Sequence, residues 1–394
     1  MSRRFLTSTG TLAGSPARQP RRGPNAAAAL GAPRWSALVV TIAVVLLLAV
    51  PVGGQAPTAT KGVPSTTGKT TVAAKKSTVP RTPWGDPDLQ GVWNIATSTP
   101  LQRPAQFGEK LVLTEDEAAE FQEEVAEDLT RDRRDGGNEV DVNRAYNDHW
   151  MDARRLKITE DHRTSLIVDP PDGRIPPRVP LSPERQKEAA ERAAGNARFL
   201  AWMPWSSEEL SLPVRCIIRT DLPPYLPTIY NNSFQFFQAA GMVVIAPEMI
   251  HSARVIYLDG RPHLGKNLKQ WLGDTRGRFE GNTLVVETTN FRSDPGAVYQ
   301  NGSPDTFKIV ERFTRVDGDT INYEFTVSDP KTWTRPWTAM IPMTKVDPDE
   351  QMYEYMCHED NYDIVHLLAG GRKREALGET VDTSRRPGGG GDDR

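Results

Sequence analysis

Glu311 sits in Phe307-Lys308-Ile309-Val310-Glu311-Arg312-Phe313, where an apolar pattern leaves no obvious place for a charge. In an extended chain it shares a face with Phe307, Ile309 and Phe313. If the chain turns back through Asp317-Gly318-Asp319, apolar register sets Phe313 against Tyr323, Glu311 against Phe325 and Ile309 against Val327. Arg312 then meets Glu324 on the opposite, wetter face. A carboxylate in that setting has two readings. It pairs with an arginine such as Arg278 or Arg335, or its pKa is raised and it works as a general acid or base.

Arg335 itself lies in Trp333-Thr334-Arg335-Pro336-Trp337. On a strand, Trp333, Arg335 and Trp337 point one way, and a guanidinium between two indoles stacks for roughly 0.5–2 kcal/mol, depending on burial. Such a triplet either holds an anionic or sugar-like ligand at a barrel mouth or closes one end structurally. His251 ends Glu248-Met249-Ile250-His251 and reads as a general base or ligand hydrogen-bonder. A spacing of three unites Glu248 with His251 on a helix but separates them on a strand, and the surroundings are strand or irregular. His358-Glu359 has the same defect. A site from His251, His358 and one carboxylate is geometrically open. Six scattered histidines without an HExxH spacing nevertheless lead to the expectation of no metal and no cofactor. Tyr230 and Asn231, like Tyr146 to Trp150, are polar-aromatic loop residues, suited to ligand contact and equally to tight turns.

The elements that must position these groups are mostly strands. Phe234–Ala239 and Met242–Ala246 flank Gly241, and Arg254–Leu258 follows. Arg278 to Val286 turns at Gly281-Asn282. Phe307–Val316 and Ile321–Val327 form the next hairpin, with Thr332–Lys345 and Gln351–His358 as a last pair. At least eight closely spaced strands predict a mostly β protein, an antiparallel barrel or sandwich. Two helices precede them. One begins at the capping box Thr114…Glu117, with Ala118, Phe121, Val125 and Leu129 along one stripe and an end expected at Asp135-Gly136-Gly137. The other begins at Ser182-Pro183 and runs to about Leu200. Thr164–Val168 reads as a short strand between them. No glycine-rich phosphate loop and no β-α-β alternation are seen.

Residues 1–56 hold six arginines and no acid. They include the apolar run Ala37–Val50 and the small residues Gly53-Gly54-Gln55-Ala56. This is the layout of a signal peptide or signal anchor, and it predicts an exported, periplasmic or extracellular protein that meets the membrane, if at all, only through that segment left uncleaved. Residues 57–82 read as a disordered Thr/Lys/Pro linker and 379–394 as a disordered tail. Between them, 83–378 reads as one β-rich domain, with a helical part (83–230) and a barrel part (231–378). Without the six arginines, 42 basic residues face 51 acidic ones, which argues against a nucleic-acid partner. Cys216 and Cys357 either bridge, adding roughly 3–5 kcal/mol in the chain-entropy picture, or stand as two buried thiols.

The segments PWGDPDLQGVW, RTSLIVDPPDGRIP, EMIHSARVIYLDGRPH, QWLGDTRGRFEGNTLVVETTNF, VERFTRVDGDT, DPKTWTRPWT and YEYMCHEDNY resemble a large family of uncharacterised exported bacterial proteins, over about residues 83–370. The resemblance implies an extracytoplasmic β-rich protein and brings no catalytic residue with it. Gly91-Val92-Trp93, ahead of many strands, also resembles the G-x-W opening of lipocalin-type barrels. Three functions follow. The first is an exported barrel that binds a small molecule or lipid. The second is an acid–base enzyme on a hydrophobic or sugar-derived substrate, built on Glu311, His251 and Arg335. The third is an envelope interaction protein. Trp333, Trp337, Tyr230, Asn231 and His358 are the candidate ligand contacts.

Overall fold

The computed structural model describes residues 79–129, 151–200, 203–250 and 252–380. All the described residues belong to one compact unit, Ala73–Arg394. The expected signal segment, most of the linker, the Asp135-Gly136-Gly137 helix stop, Tyr146–Trp150, His251 and most of the tail lie outside the described residues. The end of the expected linker takes part in a turn. Arg81 donates to Gly85 and to Asn282, and the Thr82 N–H reaches Asp86.

The fold is mostly β. Among the described residues ten strands form: β1 (Gly91–Asn94), β2 (Ile167–Asp169), β3 (Ser233–Ala239), β4 (Met242–Pro247), β5 (Arg254–Tyr257), β6 (Asp274–Glu280), β7 (Thr283–Thr289), β8 (Lys308–Arg315), β9 (Thr320–Ser328) and β10 (Trp337–Lys345). Nine of them close a barrel in the order β1-β3-β4-β5-β6-β7-β8-β9-β10, with β10 returning to β1. All neighbours are antiparallel except β5 and β6. The exception is geometric: strand direction cannot alternate all the way round a closed ring of odd number. A parallel neighbour needs a long crossover, and residues 258–273 supply it. At this junction the strands touch closely, since a Cβ on Gly277 would come within 2.5 Å of Ile256.

β10 explains why Gln351–His358 is not a strand, contrary to the pattern reading. One edge of β10 pairs with β9, and the other is shared between β2 at Thr338–Ala339 and β1 at Thr344–Lys345. No edge remains for a following strand. The barrel therefore begins at Gly91 and ends at Lys345, not at 231 and 378. Beyond it come an irregular stretch and a helix absent from the sequence reading. Among the described residues the α-helices are α1 (Glu115–Leu129), α2 (Pro183–Leu200) and α3 (Asp363–Ala376). The α1 start shows both reciprocal capping bonds, Glu117 to the Thr114 N–H and Thr114 to the Glu117 N–H.

The core is the barrel lumen. Alternation sends Phe234, Phe236, Val243, Ile245, Leu284, Ile309, Phe313, Tyr323, Phe325, Trp337 and Ile341 inward, and all are buried in one cluster. Each such side chain contributes roughly 1.5–3 kcal/mol of burial. Phe313 and Tyr323 stack at 4.7 Å. Trp93 points inward from β1. Its indole N–H donates to Leu89, and the Arg315 guanidinium lies 4.3 Å from its ring centre. Outside the barrel, Cys216 and Cys357 are joined by a disulfide across a sequence separation of 141. No helix among the described residues is long and apolar enough to cross a membrane.

Candidate functional site

Two charged clusters stand out, one inside the barrel and one against its outer wall. The β8–β9 register is the one the apolar pattern predicts, with Glu311 opposite Phe325 and Arg312 opposite Glu324. Glu311 is therefore fully buried. Its partner is Arg254, the first residue of β5, rather than Arg278 or Arg335. Arg254 Nη1 donates to Glu311 Oε1 at 3.1 Å, and Nη2 donates to Oε2. The remaining bonds complete a network. Arg254 reaches Tyr225 Oη at 2.9 Å and Thr288 Oγ1 at 3.2 Å. Tyr323 donates to Glu311 at 2.9 Å and accepts the Tyr225 N–H at 3.0 Å. Burial opposes the charge on Arg254, yet the adjacent Glu311 and Tyr225 hold its pKa above the usual range. Burial, and then the Glu311 charge, push Tyr323 well above the ordinary tyrosine range, so it stays a donor. Glu311 is thus a paired carboxylate sealed from solvent.

Arg335 takes no part in it. A turn at 330–332, in which the Asp329 carbonyl accepts the N–H of both Thr332 and Trp333, delivers Trp333 to an isolated antiparallel bridge with Arg178, and the chain bends again at 334–335 before β10 begins. Period-two alternation starts only at Trp337, so Arg335 does not lie between the indoles. It is half-exposed and pairs with Asp169 at 2.7 Å. Trp333 and Trp337 pack edge-on at 6.3 Å, both buried, and Arg178 takes the cationic place over Trp333. Neither indole N–H has an acceptor, so shape and ring contact hold the pair. Both expected ligand contacts are thus core residues, facing the packed interior instead of a barrel mouth. His358 is exposed and belongs to the lining of neither the cleft at Tyr230 nor the cleft at Cys357.

Tyr230 and Asn231 are placed differently. They line a cleft of about 430 Å³ together with Val92, Ser233, Glu248, Asp152, Arg154 and Glu350. Trp93 and Phe234 face the lumen, so Val92 and Ser233 face out, and the cleft lies against the barrel's outer flank. Three irregular segments converge there. Asn231 turns the chain into β3 with a left-handed backbone, which asparagine tolerates. Asp152 caps a short helical turn by accepting the Arg154 N–H at 3.0 Å, and it also takes the Asn94 amide at 3.0 Å. Arg154 then forks onto Glu350 at 2.9 and 3.1 Å. Glu248, just past β4, accepts the Ser233 N–H at 3.0 Å. Burial, reinforced by the Asp152 charge, raises the Glu248 carboxyl above its ordinary value despite that bond.

Three carboxylates and one guanidinium leave the cleft lining net negative. The arrangement can hold hydroxyl or ammonium groups against Glu248 and Tyr230, with Val92, Met151, Val346 and Met352 offering apolar contact. Among the described residues, no three His, Cys, Asp or Glu side chains are grouped to hold a metal. Sequence reasoning reached Tyr230 and Asn231 but missed Asp152, Arg154 and Glu350, which carry no periodic signal. It also missed Arg254, whose two-residue spacing from the apolar Ile256 marks it as inward-facing. No protein-family model, curated protein or solved structure matches the chain.

Proposed function

We propose that this chain is an exported small-molecule-binding β-barrel protein whose ligand occupies the outer cleft at Tyr230 and Asn231. The observation that carries the reading is the contrast in occupancy. The lumen is filled by its own aromatic side chains, while the flank holds a cleft of ligand size. The net negative lining favours a neutral, hydroxyl-bearing compound or a cation over an anion or an acyl chain. A disulfide together with the arginine-rich, apolar N-terminal segment supports an address outside the cytoplasm.

Native mass spectrometry of the protein purified from its own host tests this. A retained small molecule that is lost in Tyr230→Ala and in Glu248→Gln is expected. A protein free of adducts, or an adduct indifferent to both substitutions, overturns the assignment. The raised Glu248 carboxyl favours a second reading, an acid–base enzyme working in the same cleft. That reading requires turnover to vanish in Glu248→Gln while ligand retention survives.

A further inference from the structure

We propose that the Cys216–Cys357 disulfide is a redox latch on the outer cleft, fixing the strap 346–357 that forms one of its walls; this rests on the cleft being the binding site. The strap supplies Val346, Glu350, Gln351 and Met352 to the lining. It is tied at three points. Its first N–H, on Val346, bonds to Val92 at 2.9 Å. Its middle is held by the half-exposed Arg154–Glu350 pair. Its end is Cys357. Residues 351–356 form neither helix nor strand, and Tyr353 is 82% exposed. The α3 helix beyond buries only Gly371, on the backbone of Met203 and Pro204. Burial therefore does little to fix the strap, and an exposed ion pair contributes little. The covalent tie decides its position.

The same bond is reachable. A second cleft of about 380 Å³ is lined by Cys357 with Val214, Arg219, Tyr355 and Asn361, whereas Cys216 is buried. Arg219 spans the two clefts, since its guanidinium lies 5.7 Å from the ring centre of Tyr230. Releasing the bond loosens together the strap, which is a wall of the binding cleft, and the 214–219 turn, which reaches that cleft through Arg219 on Tyr230. The chemistry is thiol–disulfide exchange with a dithiol reductant. One thiolate attacks Cys357 Sγ, the S–S bond breaks, and Cys216 leaves as a thiolate that takes a proton. The reductant's second thiol then resolves the mixed disulfide. The dithiol ends oxidised, and two electrons and two protons reside on the cysteines.

Hydrogen exchange of the full chain with and without millimolar dithiothreitol tests the latch without any ligand, so a cleft that binds nothing does not obscure the result. Reduction is expected to raise amide exchange in 346–357 by about tenfold while β7 to β10 stay protected. In the double variant Cys216→Ser/Cys357→Ser, the strap exchanges fast with or without reductant, and hydroxyl-radical labelling of the cleft-lining Met151 and Met352 rises. Three outcomes overturn the proposal: a disulfide that resists the dithiol in the folded protein, a strap whose exchange is unchanged once both thiols are free, or a barrel that loosens with the strap.

Discussion

The lumen cluster and the flank cluster use the same residue types to opposite ends. Arg254 and Glu311 are almost completely buried, bonded to each other, and surrounded by Tyr225, Tyr323 and Thr288. Arg154 and Glu350 are fork-bonded too, but half-exposed, and they share a cleft with Asp152 and a half-buried Glu248. A sealed ion pair is costly to break because the remaining charge has no water to turn to. An open pair can be broken or re-formed cheaply, which suits a surface that must exchange water for a ligand. An acid on an apolar strand face therefore marks fold integrity here, and the irregular flank is where charged groups stay open to solvent.

Substitutions should separate the two regions. The largest effect is expected for Glu311→Ala, which strands Arg254 in the lumen and should cost about 3–5 kcal/mol by urea unfolding. Glu311→Leu combined with Arg254→Met should recover most of that loss. A double variant as unstable as the single one would show that the cluster does more than satisfy itself. Tyr323→Phe removes one donor to Glu311 and the acceptor of the Tyr225 N–H, for about 1–3 kcal/mol. On the flank, Glu350→Ala should change stability by less than about 1 kcal/mol, and a larger loss would break the comparison.

The subtlest expectation concerns pH. The folded state binds the Glu248 proton more tightly than the unfolded chain, whose value stays near 4.5. The group's favourable contribution is therefore greatest below that value and is lost as pH rises through the raised folded value. Glu248→Gln should flatten that part of the stability profile, measured by thermal melts across the acid range, and an unchanged profile would remove the carboxyl from its half-buried setting.

Much of the barrel is legible from period-two alternation, because a wall with one filled face writes its register into every second residue. That is why the pairing of Glu311 with Phe325 could be read before any coordinates. Alternation failed at Trp333-Thr334-Arg335, where a turn at 330–332 and a bend at 334–335 leave Trp333 only an isolated bridge to Arg178, and at Gln351–His358, where β10 has no edge to offer. The cleft was legible only through Tyr230 and Asn231. Its other groups come from segments whose neighbours are set by loop paths.

The amino-acid order by itself determined most of the barrel strands, the α1 and α2 starts and the fact that a carboxylate would sit on an apolar face, since these depend on side-chain periodicity and on contacts within a few residues. Tertiary structure alone decided that Arg254 would neutralise it, that an odd ring would require one parallel junction, and that Asp152, Glu248 and Glu350 would share a cleft. Those outcomes depend on which distant segments closure of the barrel brings within hydrogen-bond reach, and no local pattern encodes that distance.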